Sequence, residues 1–134
     1  MYLLDSDIIV EYLRGNKLIV DKLIYLSYEN LYTTTISLAG LFYGIYASSK
    51  PEQNAQKLMD FLLYVRVLNI NLDSCKLFGK IKSNLKKSGK IIDNFDLLIA
   101  CICITNNLIL ITNNEKHFEK INDIKILNLK WKAL

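Results

Sequence analysis

Asp5 directly follows the apolar run Tyr2-Leu3-Leu4, and Asp96 opens the apolar run Leu97-Leu98-Ile99-Ala100. An acid that opens a helix gains from unpaired backbone N–H groups and from the helix dipole. Asp93 lies three residues before Asp96, close to one helical turn. Singly, each acid has a plainer use, Asp93 and Asp96 as helix caps and Asp5 as a turn residue. Brought together, two carboxylates repel, and one would hold its proton to unusually high pH. A hard divalent cation such as Mg²⁺, or Mn²⁺ in its place, relieves this with one or two carboxylates, waters and substrate phosphate oxygens. Such a pair suits phosphodiester hydrolysis. Thr112-Asn113-Asn114 follows the apolar Leu108 to Ile111 and adds a hydroxyl and two amides. These would orient water or phosphate, or simply turn the chain.

Composition narrows the choice toward carboxylates. The 134 residues hold 17 Lys+Arg, 13 Asp+Glu, three Cys and one Pro, and the single His117 excludes any centre that needs two histidines. Chemistry is therefore expected to run on carboxylates, hydroxyls, amides or lysines. Cys75, Cys101 and Cys103 are an odd set without a CxxC pair, which points to a reduced, cytoplasmic setting. No apolar run is long enough to span a bilayer, so no membrane partner is expected. The length predicts one domain over 1–134.

The elements that must position these acids read as an alternation. Strands are predicted at Tyr2 to Leu4, Leu31 to Thr35, Val67 to Ile70, Leu108 to Thr112 and Lys125 to Leu129. Helices are predicted from Ile8 (capped by Ser6 or Asp7) to Leu13, from Leu18 to Tyr28, and from Ser37 as cap to Ser48. Further helices begin at Pro51, carry Leu77, Ile81 and Leu85 up to Gly89, and run from Asp93 to Asn107. Alternating strands and helices imply an α/β fold with a mostly parallel sheet covered on both faces. Functional crevices in such folds lie beyond the carboxyl ends of the strands, where Asp5, Asp96 and Thr112 are all expected.

Six lysines between Lys76 and Lys90, with no acid among them, lead into Asp93 and Asp96. They form either a solvated helix face or a surface that gathers a polyanion. Tyr25, Tyr28, Tyr32, Leu41, Phe42, Tyr43 and Tyr46 load the first half with aromatic and apolar side chains. Most are expected in packing, and some would form an exposed groove for a partner helix.

Four segments, in order over almost the whole chain, carry a family resemblance. They are Tyr2-Leu3-Leu4-Asp5-Ser6-Asp7-Ile8-Ile9 with Leu13-Arg14-Gly15, then Ile36 to Ala39 with Leu41 to Ile45, then Asp96 to Ala100, then Ile111 to Asn114 with Phe118. Together with a tail ending near Trp131, they resemble the VapC-type PIN-domain ribonucleases, the toxin halves of toxin–antitoxin pairs. The resemblance implies a PIN-like three-layer α/β/α sandwich and a metal-dependent endoribonuclease acting on structured RNA such as tRNA. It also implies a homodimer or a toxin–antitoxin hetero-oligomer, silenced by a VapB-type antitoxin. Carried over by position, Asp5 and Asp96 would bind Mg²⁺ or Mn²⁺, with Asp93 and Asn114 in support. Ser6, Thr112, Lys82, Lys86 and Lys90 are the expected substrate contacts.

One position departs from the family pattern. The second motif has a Glu just before Leu41-Phe42-Tyr43-Gly44, and here Gly40 stands there. Glycine inside a helix costs ~1 kcal/mol relative to alanine, and no turn signal explains it. The chain is therefore expected to be catalytically impaired, through deliberate inactivation or through natural degeneration. Glu11 is a less suitable stand-in and reads as a solvated helix residue. Leu3-Leu4-Asp5-Ser6-Asp7 also resembles the DxD opening of haloacid-dehalogenase-like phosphatases, but Ile9 stands where that motif has Thr. A module that binds antitoxin or RNA without cleaving is the non-enzymatic alternative.

Overall fold

In the computed structural model, which describes residues 1–129, five short strands make one parallel sheet. The strands are β1 (Tyr2–Leu4), β2 (Leu31–Thr34), β3 (Arg66–Leu68), β4 (Ile109–Ile111) and β5 (Ile126–Leu127), in the order β3-β2-β1-β4-β5. Between them run α1 (Ser6–Leu13), α2 (Lys17–Leu26), α3 (Thr35–Tyr46), α4 (Pro51–Phe61), α5 (Leu72–Lys87) and α6 (Asn94–Thr105). The expected α/β/α sandwich is present, and the sheet is wholly parallel.

The pleat sorts alternate residues to two cores. Leu4 and Ile111 pack with Ile8, Ile9, Leu23, Leu41 and Leu58 from α1 to α4. Leu3 and Leu110 pack with Leu97, Ala100 and Cys101 of α6 and with Phe118. The chain moves outward from β1 through β2 to β3, then returns across the other face to β4 beside β1. The β1–β4 seam is thus the point where strand order reverses, and the carboxyl edge at such a point is where α/β folds place their ligands.

Several element ends differ from expectation, each for a local reason. Asp5, not Ser6 or Asp7, caps α1, with extended backbone and its carboxylate accepting from the Ser6 N–H. Thr34, not Ser37, caps α3, and Ser37 supplies the N–H it accepts from. The second helix stops at Leu26 because Ser27 takes φ 72°, after which a 3-10 turn covers Tyr28–Asn30. β3 ends at Leu68, short of Ile70, and the carboxamide of Asn71 then caps α5 through the Ser74 N–H. Trp131 lies outside the described residues. Among the described residues no helix is long and apolar enough to cross a membrane.

Candidate active site at the carboxyl edge of the sheet

Asp5 leaves β1 beside the point where Thr112 leaves β4, and the Asp5 N–H donates to the Ile111 carbonyl at 3.0 Å. One carboxylate oxygen, Oδ1, accepts from the Ser6 N–H at 2.8 Å, and Oδ2 accepts from Thr112 Oγ1–H at 2.9 Å. Asp5 is only 6% exposed. Burial pushes its pKa up, while Thr112, the Ser6 N–H and the nearby His117 pull it back down. A buried carboxylate with two hydrogen bonds is thus held in one orientation at the strand-reversal point.

Asp96 sits in the first turn of α6, whose cap is Asp93: the Asp93 carboxylate accepts from the Phe95 and Asp96 N–H groups at 3.0 and 3.2 Å. Desolvation raises the Asp96 pKa, the neighbouring His117 lowers it, and the negative charges of Asp93 and Asp5 raise it again. The charge of Asp5 still acts on Asp96, 91 residues further along the chain, and His117 acts on both. Asp93 acts on Asp96 from the cap of the same helix.

His117 is the group the sequence reasoning set aside. Its Nδ1 lies 3.3 Å from Asp96 Oδ2, at the end of a 3-10 turn, Glu115–His117, that follows β4. The only available signal was its place three residues after Asn114. Asp7 was also missed except as a cap. Its Oδ2 accepts from the Asn113 N–H at 2.9 Å and from Asn114 Nδ2–H at 3.1 Å, tying α1 to the turn after β4. Asn114 therefore braces that turn through Asp7, and its own N–H donates to Thr112 Oγ1 at 3.0 Å. Ser6 contributes its backbone N–H to Asp5.

Lys82, Lys86 and Lys90 line one cavity of about 660 Å³ whose far wall is Ile92, Asp93 and Asn94. Lys82 is partly engaged there, donating to Asn94 Oδ1 at 2.6 Å. Gly40 lies exposed in the middle of α3, a helix that touches α6, and a Cβ placed on it would meet no atom within 4 Å. Nothing in the packing requires glycine there. Glu11 accepts instead from Asn16 Nδ2–H at 2.8 Å, past the end of α1.

Of the aromatic set, Tyr28 bonds to the Tyr12 hydroxyl and packs against Tyr64, while Tyr25, Tyr43 and Tyr46 stay exposed. Val10, Leu13, Leu41 and Ile45 line a second cavity of about 330 Å³ between α1 and α3.

Asp5 and Asp96 are both raised, chiefly by burial, and the Asp5 and Asp93 charges further oppose ionisation of Asp96. Two such carboxylates fit a hard divalent ion that completes its shell with water. Among the described residues, no group of three or more His, Cys, Asp or Glu converges closely enough to hold a metal alone.

A parallel α/β/α sandwich with acids gathered at its strand reversal is the architecture of a PIN domain. The PIN domain family model matches residues 2–124, and the chain belongs to that family. Ribonuclease VapC2 of Haemophilus influenzae is 30% identical over 127 residues, which cover 95% of this chain and 96% of the relative. The crystal structure of VapBC2 from Rickettsia felis, bound to a DNA fragment from their promoter, aligns with a TM-score of 0.87 at 32% identity, covering 95% of this chain and 97% of that one. The tRNA(fMet)-specific endonuclease VapC of Shigella flexneri is 25% identical over 124 residues, 92% of this chain and 94% of the relative. Within the PIN-domain family, the chain is one of the VapC-type ribonucleases.

Proposed function

We propose that the chain is the toxin half of a VapBC pair, an endoribonuclease by descent that acts on tRNA or other structured RNA in the cytoplasm. In this reading it uses Mg²⁺ or Mn²⁺ and is weakened as written, because Gly40 stands where the second motif carries Glu. The observation that carries the reading is the pair of acids at the carboxyl edge: Asp5 held by Thr112 and the Ser6 N–H, and Asp96 by its Asp93 cap and His117, both raised chiefly by burial. A divalent ion held by Asp5 and Asp96 supplies Lewis-acid charge at a phosphodiester.

The chain's own residues do the rest. Thr112 and the Ser6 N–H keep Asp5 in one orientation. Asp93 holds the backbone that carries Asp96, and His117 supports the outer Asp96 oxygen. Lys82, Lys86 and Lys90 gather phosphates along the cavity that Asp93 closes. Without a carboxylate at position 40, less negative charge is available to hold a cation between Asp5 and Asp96.

The groove between α1 and α3 would seat an amphipathic antitoxin helix on Val10, Leu13 and Leu41. Exposed Tyr43 and Tyr46 on α3 offer a surface for a second copy, giving a homodimer or a toxin–antitoxin hetero-oligomer.

The test is cleavage of a tRNA pool with Mn²⁺ by this chain and by Gly40→Glu, with Asp96→Asn introduced into both as a control. The expected result is cleavage restored or strongly raised in Gly40→Glu and abolished by Asp96→Asn. Equal activity of the parent chain and Gly40→Glu would sink the impairment. A second reading, a PIN module that binds antitoxin or RNA without cutting, is favoured by the missing third ligand. Lack of Mn²⁺ binding by the chain, with antitoxin binding retained, would support it.

A further inference from the structure

Phe95 has no evident use in the fold. It is 60% exposed, and Ile91, on the other side of Asp93, is 85% exposed. The buried face of α6 is carried by Leu97, Ile99, Ala100, Cys101, Ile102 and Cys103, none of which needs Phe95. An exposed aromatic is not unusual in itself, and what sets Phe95 apart is its place in the chain between Asp93 and Asp96.

The segment that displays Phe95 is held at several points. Lys120 Nζ donates to the Ile91 carbonyl at 3.0 Å, and Lys82 Nζ donates to Asn94 Oδ1. The Phe95 N–H is itself bound by the Asp93 carboxylate. The ring is therefore carried on fixed backbone, immediately before Asp96 in the chain. The same segment forms the wall of the cavity lined by Lys82, Lys86 and Lys90. Phe95 is the next residue after that wall, which ends at Asn94, and an exposed aromatic following a cationic track is the combination that holds an unpaired strand, since bases stack on the ring while lysines follow the phosphates.

We propose that Phe95 is a stacking platform for the nucleobase next to the phosphodiester presented to Asp5 and Asp96, with Ile91 as its apolar rim. This rests on the ribonuclease reading and adds to it the form of RNA the site accepts: unpaired and splayed at this nucleotide. Stacking tolerates any base, so the platform sets which bond is presented, not the sequence around it. Duplex RNA, whose bases are already stacked, has no face to offer the ring.

The test is fluorescence anisotropy with an end-labelled short oligoadenylate, a labelled abasic ribose-phosphate oligomer of the same length and a labelled RNA duplex. Each is titrated with the intact chain, Phe95→Ala, Phe95→Trp and Lys86→Ala, without divalent ions so that no cleavage intervenes. Phe95→Ala should weaken oligoadenylate binding on the order of 5- to 150-fold, as expected for the loss of one stacked base. Phe95→Trp should restore it, and binding of the abasic oligomer should be unchanged by either. Lys86→Ala should weaken oligoadenylate and abasic oligomer alike, because it acts on the backbone.

Oligoadenylate binding by Phe95→Ala within twofold of the parent overturns the platform. So does an equal loss on the abasic oligomer, or duplex binding as tight as single-strand binding. If Phe95→Ala instead reduces self-association in sedimentation while RNA binding is kept, the ring is a protein contact and the platform is wrong. Failure of the parent to bind any of the three probes in a salt-sensitive way would overturn the ribonuclease reading itself, which separates the two failures.

Discussion

Gly40 allows helix energetics and ion binding to be separated by substitution at one position. It is the sixth of twelve residues in α3, exposed, with open space where a Cβ would go. Gly40→Ala should therefore recover the helix cost of glycine, about 0.5–1 kcal/mol. For 134 residues the unfolding entropy is about 0.3 kcal/mol per kelvin, so alanine should raise Tm by roughly 2–3 °C. Gly40→Gln gains slightly less, because its intrinsic propensity is lower. Gly40→Glu has nearly the propensity of Gln but, if position 40 belongs to the site, adds a third carboxylate to two acids already held above their usual pKa. In EDTA it should melt at or below the Gln form.

Saturating Mn²⁺ should reverse that order. A ligand at one hundred times its Kd stabilises by about 2.7 kcal/mol, or close to ~10 °C for a chain of this size. The Glu form should reach that shift at far lower Mn²⁺ than the parent, Ala or Gln forms. The assay is differential scanning fluorimetry over a Mn²⁺ series, read beside tRNA cleavage by the same samples. Identical Mn²⁺-induced shifts in the Glu and Gln forms, without a gain in cleavage, would refute the reasoning that position 40 belongs to the site.

Three further outcomes are expected. Asp96 has its folded pKa raised above 3.8, so it contributes stability at pH below 3.8 that is lost as pH rises through the folded value; Asp96→Asn should flatten that fall in urea titrations between about pH 3.5 and pH 7 and be the more stable form at neutral pH, and a wild-type chain no less stable at neutral pH than its Asn form would contradict it. Thr112→Val removes the hydroxyl that donates to Asp5 and accepts from Asn114, at a cost of about 1.5–3 kcal/mol for a hydrogen bond to a charged group, and a melting temperature within a degree of wild type would show that the bond is not made in solution. Replacing Lys82, Lys86 and Lys90 together by Gln should reduce the slope of log Kobs against log salt for single-stranded RNA by about 2, from ~0.7 per phosphate contact; an unchanged slope would place the phosphate track elsewhere.

The strands were legible because a sheet buried on both faces leaves short continuous apolar runs, as at Tyr2-Leu3-Leu4 and Ile109-Leu110-Ile111. Helix starts were less so. Asp5, Ser6 and Asp7 can each cap, as can Thr34, Thr35 and Ser37, and only the backbone angles choose among them: Asp5 and Thr34 are extended and the others are helical. The acids stood out because each borders an apolar run. His117 did not, since its approach to Asp96 depends on a 3-10 turn whose residues, Glu115-Lys116-His117, carry no hydrophobic period. Nor could the partnership of Asp7 with Asn113 and Asn114 be read. It spans more than one hundred positions and exists only because β4 returns to lie beside β1.

That return also explains why the fold can survive the loss of a site acid. The buried carboxylates weigh against folding at neutral pH, as their raised pKa values require. What offsets them is the metal-independent structure around the β1–β4 seam: the in-register ladder, the Thr112 and Asp7 ties, and two cores in which Leu3, Leu4, Leu97, Leu110 and Phe118 are fully buried. Truncating any one of those side chains to alanine costs about 2–5 kcal/mol, more than a single partly buried acid such as Asp96 can return. An ion held by Asp5 and Asp96 would therefore be an addition to a finished fold, unlike a structural zinc, whose binding energy is folding energy. In the proposed reading, a chain with glycine at position 40 keeps the groove between α1 and α3 and the lysine-lined cavity, and substitution at that one position is expected to act on ion binding and cleavage while leaving the fold in place.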